Sequence, residues 1–225
     1  MILYHGSSEI IETPVYGKGY EHNDYGRGFY CTESLDLAKE WACPADRDGF
    51  ANKYEFNTKG LKILRLNSNK FHILNWIAIL LNNRIFAKRS PISRSAADYI
   101  QKEFLPDLSP YDVICGYRAD DSYFTYAKDF LNNTISVEQL AKAMKLGNLG
   151  EQIVLISPKA FKHISFIGYE IANSNIYSEL RQNREKEARK AYQQKLSSVF
   201  SIAKDAIFVR DILQQEIKND DSRLR

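Results

Sequence analysis

Cysteine is scarce and poorly placed for pairing. The 225 residues contain three, Cys31, Cys43 and Cys115. They are too few and too scattered for a disulfide framework, and no C-x-x-C pair is present to found a structural zinc site. The four histidines, His5, His22, His72 and His163, are dispersed as well. No His/Asp/Glu group has metal-ligand spacing, so no metal is expected. No G-x-G-x-x-G follows a strand and opens a helix, which excludes a Rossmann dinucleotide unit. The longest apolar stretch, near residues 73–81, is interrupted by Asn75 and is too short to span a bilayer. Met1-Ile2-Leu3-Tyr4-His5 lacks the basic segment and apolar run of a secretory signal. The expectation is a cytoplasmic protein with no membrane contact. Lys and Arg total 31 against 28 Asp and Glu, a net charge of +3, which makes no case for nucleic acid or anionic lipid. Internal repeats and low-complexity tracts are also absent.

What is present suits one folded domain with an appendage. Hydrophobic residues are 44% and charged residues 26% of the chain, values ordinary for a globular protein. Residues 1–4 read as a short buried strand. Residues 13–28 hold Pro14, Gly17, Gly19, Gly26 and Gly28 and predict a long loop. Phe29-Tyr30-Cys31-Thr32 predicts a strand, with Ser34 capping a helix that follows. Residues 53–56 and 61–66 alternate like the arms of a hairpin about a turn at 57–60. Helices are predicted over 70–84, 93–104, 123–131 and 137–144, and strands over 111–116, 152–156 and 163–171. From about Ser174 onward proline and glycine disappear and charge becomes dense. The apolar positions Val199, Phe200, Ile202, Ala203, Ala206, Ile207 and Val209 recur at helical spacing. The basic run Arg181, Arg184, Lys186, Arg189 and Lys190 is interleaved with Glu185 and Glu187. It reads first as a solvated helix face, with a nucleic-acid surface or a partner-binding helix as alternatives. The domain is placed at 1–173 and a helical extension at 174–225.

Three separated segments carry candidate chemistry. They are Tyr4-His5-Gly6-Ser7, Asp24-Tyr25-Gly26-Arg27-Gly28-Phe29-Tyr30-Cys31-Thr32 with Trp41 on the next helix, and Gly147-Asn148-Leu149-Gly150-Glu151-Gln152-Ile153-Val154. Each alone has an ordinary reading: a strand end, a glycine turn entering a core strand, and the mouth of a buried strand. Together, in this order, they resemble the ADP-ribosyltransferase superfamily in its His–Tyr–Glu branch. His5-Gly6 matches the early His-Gly pair, and Gly28-Phe29-Tyr30-Cys31-Thr32 matches the G-F-Y-x-T pattern. Trp41 matches a second aromatic, and Glu151-Gln152-Ile153-Val154 lies where the catalytic strand begins. The chain is closer still to an uncharacterised bacterial, toxin-like family of that fold. This is through its Y-H-G-S start and the segment Tyr111-Asp112-Val113-Ile114-Cys115-Gly116-Tyr117-Arg118-Ala119-Asp120-Asp121.

The resemblance implies an α+β fold: a split β core of two roughly perpendicular sheets with flanking helices. It implies NAD as substrate and transfer of ADP-ribose to a macromolecular acceptor, protein or nucleic acid, with a small cognate antitoxin protein as a further partner. His5 would hold the adenosine ribose, Gly6 would let the main chain approach the nicotinamide amide, and Ser7 would be a further cofactor-binding residue. Tyr30 would stack on the nicotinamide ring, with Trp41 closing the other side. Arg27 or Lys18 would meet the phosphates beside Gly28, and Tyr117 and Arg118 would face the acceptor. Either Glu151 or Gln152 would hold the nicotinamide ribose. Side chains alternate along a strand, so only one of these two can face the cleft. A Gln there leaves an alternative open: a catalytically altered binding or interaction module that keeps the transferase fold.

Overall fold

The computed structural model describes residues 1–43, 47–86, 90–119, 121–144, 150–197 and 205–224, and for 121–123 and 195–197 the backbone alone. Asp120, the segment Gly147-Asn148-Leu149, and Val199, Phe200, Ile202 and Ala203 lie outside the described residues.

The chain is α+β with two sheets. β1 (Ile2–Ser7), β3 (Gly49–Phe56) and β7 (Ile164–Ala172) form an antiparallel sheet in the order β1-β3-β7. β2 (Phe29–Cys31), β6 (Glu151–Leu155), β5 (Val113–Tyr117) and β4 (Ile63–Arg65) form the second, in the order β2-β6-β5-β4. Among the described strands only the β4–β5 pair is parallel. A two-bond bridge between Tyr4 and Thr32 ties the sheets together at β1. Side chains from both sheets, among them Leu3, Phe29, Tyr54, Phe56, Ile153 and Leu155, bury one another in a shared cluster.

Residues 53–56 and 61–66 do not pair as a hairpin. The turn is present, with the Leu61 N–H donating to the Thr58 carbonyl at 3.1 Å. β3, however, has both edges occupied, by β1 and by β7. β4 crosses to the other sheet, where the Lys62 N–H donates to the Asp112 carboxylate at 2.8 Å and the Asp112 N–H returns to the Lys62 carbonyl at 2.8 Å. Alternation states that a segment is half-buried, not which strand lies beside it.

α1 (Leu35–Ala42) begins at Ser34, whose hydroxyl accepts from the Leu37 N–H. α2 (Ile73–Asn83) is buried at every position from Ile73 to Leu81. A helix apolar on all sides is a core helix, and no described helix is long and apolar enough to cross a membrane. α3 (Pro91–Phe104), α4 (Asp121–Leu131) and α5 (Val137–Ala143) surround it. α6 (Pro158–Phe161) is a single turn capped by Ser157.

The C-terminal segment is helical in α7 (Ser174–Ser197) and α8 (Val209–Gln214). It shares the larger core: Tyr192, Val209, Ile212, Ile217 and Leu224 are buried in the same cluster as α2 and α3. The Tyr192 ring lies 4.0 Å from that of Tyr126, centroid to centroid, and its hydroxyl bonds Asp129. Ala206 and Ile207 precede α8 instead of continuing a helix. The backbone is extended at the Phe208 cap, and the Ile207 carbonyl is used by the Val137 N–H at 2.8 Å. The basic run of α7 is partly committed to the fold. Arg184 grips the buried carboxylate of Glu40 on α1, and Arg181 and Arg189 flank Glu185.

Candidate functional site: a cleft between the sheets

The long glycine-containing loop between β1 and β2 is held by side chains from the strands beneath it. Asn52 of β3, fully buried, donates to the His5 and Glu9 carbonyls and accepts from the Ile11 N–H. The Tyr54 hydroxyl donates to the Ile11 carbonyl. At the far end of the loop, the Tyr30 hydroxyl donates to the Gly26 carbonyl at 2.6 Å and accepts from the Tyr25 N–H at 3.0 Å. Gly26 has φ +73°, a conformation glycine adopts without steric cost. Tyr25 in turn donates to the Tyr117 carbonyl and accepts from the Trp76 indole.

Under this loop is a cleft of about 620 Å³ whose walls include His5, Phe29, Tyr30, Trp41, Gln152, Asp24, Lys18, Arg84 and Arg118. The volume is in the range of small-ligand sites. Its polar groups are set by identifiable neighbours. The His5 Nδ1 lies 2.7 Å from the Tyr30 carbonyl. A carbonyl only accepts, so Nδ1 carries the proton and Nε2 is left as an acceptor in the neutral ring. Burial favours that neutral form and lowers the His5 pKa, while the Tyr30 bond opposes the shift. The imidazole is stacked on Phe29 at 4.3 Å.

Asp24 is the hub of the cleft floor. Its carboxylate accepts from Arg84 Nε at 3.0 Å, from the Ala119 N–H at 2.9 Å and from Gln152 Nε2 at 3.4 Å. Burial raises its pKa, and the Ala119 N–H, Arg84 and Arg118 pull the other way. Gln152, on β6, is 6% exposed, and its Oε1 has no hydrogen-bond partner among the described residues. The Trp41 Nε1 is likewise buried and unpartnered. The Arg118 guanidinium lies over the Trp41 ring at 4.7 Å, a cation–π contact.

Of the residues singled out in the sequence, His5, Gly28, Tyr30, Trp41 and Gln152 meet at this cleft, joined by Lys18 and Arg118. Five others do not line it, among them Tyr117, whose ring packs edge-on against Trp76. Glu151 sits one position from Gln152 on β6 and bonds Asn67; alternation sends the two side chains to opposite faces. Gly6 is taken up by packing, because a Cβ there would meet the Ala38 carbonyl of α1 at 2.1 Å. The Ser7 hydroxyl accepts from the Glu9 N–H, and Arg27 pairs with Glu21 at the surface. Gly28 has a packing role as well as its place at the cleft, since a Cβ would come within 2.6 Å of Val154 Cγ1. Sequence reasoning missed Asp24 and Arg84. Asp24 stood inside a quoted motif with no role given to it, and Arg84, at the end of α2, carries no local signal.

The arrangement offers two hydrogen-bond acceptors, one indole donor, aromatic walls and three cations. It suits a ligand with hydroxyls, a planar ring and an anionic linker. Among the described residues no group of three or more His, Cys, Asp or Glu could hold a metal ion. No curated protein and no solved structure matches the chain. A family model does match, from β1 into the start of β7, and it spans every wall of the cleft. By that match, over residues 1–166, the chain belongs to the family described as a protein of unknown function, DUF3990.

Proposed function

We propose that the cleft binds NAD and that the protein transfers ADP-ribose from it to a macromolecular acceptor, as a toxin-like effector restrained by a small partner protein. The observation that carries this reading is that His5, Tyr30 and Gln152, from three distant stretches of sequence, line one cleft. The acceptor class and the partner rest on the sequence resemblance alone.

The chemistry asked of such a site is breakage of the bond between nicotinamide and C1′ of its ribose. The electron pair leaves with nicotinamide, C1′ takes on oxocarbenium character, and an acceptor nucleophile closes on it. His5 Nε2 accepts a hydroxyl of the adenosine ribose. The aromatic wall of Tyr30 supports the nicotinamide ring, in a contact contributing about 0.5–1.5 kcal/mol beyond area burial. Gln152 Oε1 accepts from the nicotinamide-ribose 2′-hydroxyl. Lys18, Arg84 and Arg118, all at the cleft, supply positive charge for the pyrophosphate. Holding the reactants in line lowers the barrier by removing orientational freedom before the reaction begins.

A second reading is an NAD-binding module with weakened chemistry. It is favoured by one observation: the β6 group at the cleft is a neutral amide, not a carboxylate. Nicotinamide release from NAD separates the two. On the transferase reading, wild type releases nicotinamide, and Gln152→Ala and His5→Asn each lower the rate by roughly 10²-fold, the scale of losing one preorganised polar group. Calorimetric binding of NAD without release favours the binding module. Turnover equal in all three proteins removes the site assignment.

A further inference from the structure

A glutamine amide has two ends of nearly the same shape and opposite hydrogen-bonding character, so its neighbours decide which end a ligand meets. For Gln152 the deciding neighbour is Asp24. One Asp24 oxygen already receives Arg84 Nε at 3.0 Å and the other receives the Ala119 N–H at 2.9 Å. Both oxygens are thus used as acceptors. The amide nitrogen of Gln152 lies 3.4 Å from the second of them; reversed, the amide would set two acceptors against each other. The carbonyl end is then left with no partner among the described residues, in a residue 94% buried that lines the cleft. A buried carbonyl oxygen without a donor is costly to leave unmet.

We propose that Asp24 is a positioning residue that locks the Gln152 amide with its carbonyl oxygen toward the cleft, so that this point accepts a hydrogen bond from a ligand hydroxyl. The Asp24–Gln152 pair acts as a unit. The same geometry accounts for an amide where a carboxylate would otherwise suit a developing cation: a glutamate at 152 would stand against Asp24, and two carboxylates this close cannot both ionise freely. An Asn at 24 would set its NH₂ against either the Arg84 or the Ala119 donor and would no longer hold the Gln152 amide in one orientation. The pairing is therefore specific to a carboxylate at 24 and an amide at 152. The identity of the hydroxyl, the 2′-hydroxyl of the nicotinamide ribose, rests on the NAD reading; the locked amide does not.

The first measurement uses the wild-type chain without ligand: the side-chain NH₂ resonances of Gln152 in an amide-detected nitrogen-15 spectrum. Two well-separated signals protected from solvent exchange are expected, with protection lost in Asp24→Asn. Signals exchanging like those of surface glutamines in wild type overturn the proposal. The second is calorimetric binding of NAD to wild type, Gln152→Met, Asp24→Asn and the double variant Asp24→Asn/Gln152→Met. Each single change should weaken binding by about tenfold or more, and the double variant should bind no more weakly than Gln152→Met alone, a non-additive cycle. Additive losses overturn the pairing. A protected Gln152 amide in a protein that binds no NAD leaves the positioning role standing and removes the NAD reading. NAD binding with an unprotected amide does the reverse.

Discussion

His5 illustrates what one buried side chain contributes. Its ring donates to the Tyr30 carbonyl, stacks on Phe29 and has its pKa lowered by burial from 6.5. The folded protein therefore takes up this proton at a lower pH than the unfolded chain does. Between the two values the unfolded state binds more protons, so stability falls as pH falls through that window and is fully present above the unfolded value. The difference in melting temperature between wild type and His5→Asn should shrink as pH drops below about 6.5, the ordinary histidine value. If His5 Nε2 is the ribose acceptor, NAD affinity should stay level from pH 7.5 to 6.5 and decline only below that range. A binding curve that titrates at an ordinary histidine pKa would contradict the buried, neutral ring. At this scale the sequence was informative about residue type and poor about task. His5, Tyr30 and Trp41 stand at the cleft where their motif suggested. Gly6 belongs to the same motif yet serves a helix contact, because only coordinates reveal what a missing Cβ would strike.

Among the elements, α1 links the cleft to the C-terminal segment. β1 and β3 approach it closely because Gly6 and Gly49 lack a Cβ that would collide with the Ala38 and Ala42 carbonyls. On its other side the Glu40 carboxylate, 3% exposed, receives Arg184 of α7 through two nitrogens at 2.6 and 3.0 Å. Trp41, the next residue, lines the cleft. Removing Arg184 leaves a carboxylate buried without its cation, which costs about 3 kcal/mol. Arg184→Met should lower the melting temperature by roughly 6–12 °C in a chain of this size, measured by calorimetry. A variant that melts with wild type would show that the pair is solvated and idle. Sequence reasoning located the elements well, down to the Ser34 cap, because periodicity and capping are local. It misassigned the β3–β4 pairing because partner choice is settled by which strands compete for an edge, and β7 comes more than a hundred residues later.

For the whole molecule, the question is how far residues after 173 form a separate appendage. Tyr192, Val209, Ile212, Ile217 and Leu224 are buried in the core that surrounds α2. At about 1.5–3 kcal/mol for each large apolar side chain taken from water, their loss is comparable with the whole stability of a typical domain, about 5–15 kcal/mol. A chain ending at residue 173 should therefore lose cooperative thermal unfolding and bind a hydrophobic dye strongly. A truncated chain with a sharp transition and little dye binding would make the extension dispensable.

The linear sequence by itself determined the position of nearly every strand and helix and the helical character of the C-terminal segment, and the resemblance carried by its motifs pointed to the α+β class and to His5, Gly28, Tyr30 and Trp41 at the cleft. The positions of the elements follow from period, capping and punctuation, which act over a few residues. Only the tertiary structure decided that Gln152 and not Glu151 faces the cleft, that Asp24 and Arg84 complete its floor, that β4 joins β5, and that the C-terminal helices close the main core. Those outcomes depend on contacts between residues 50 to 144 positions apart. Chain connectivity brings such residues together only through the fold, and no local pattern encodes the meeting.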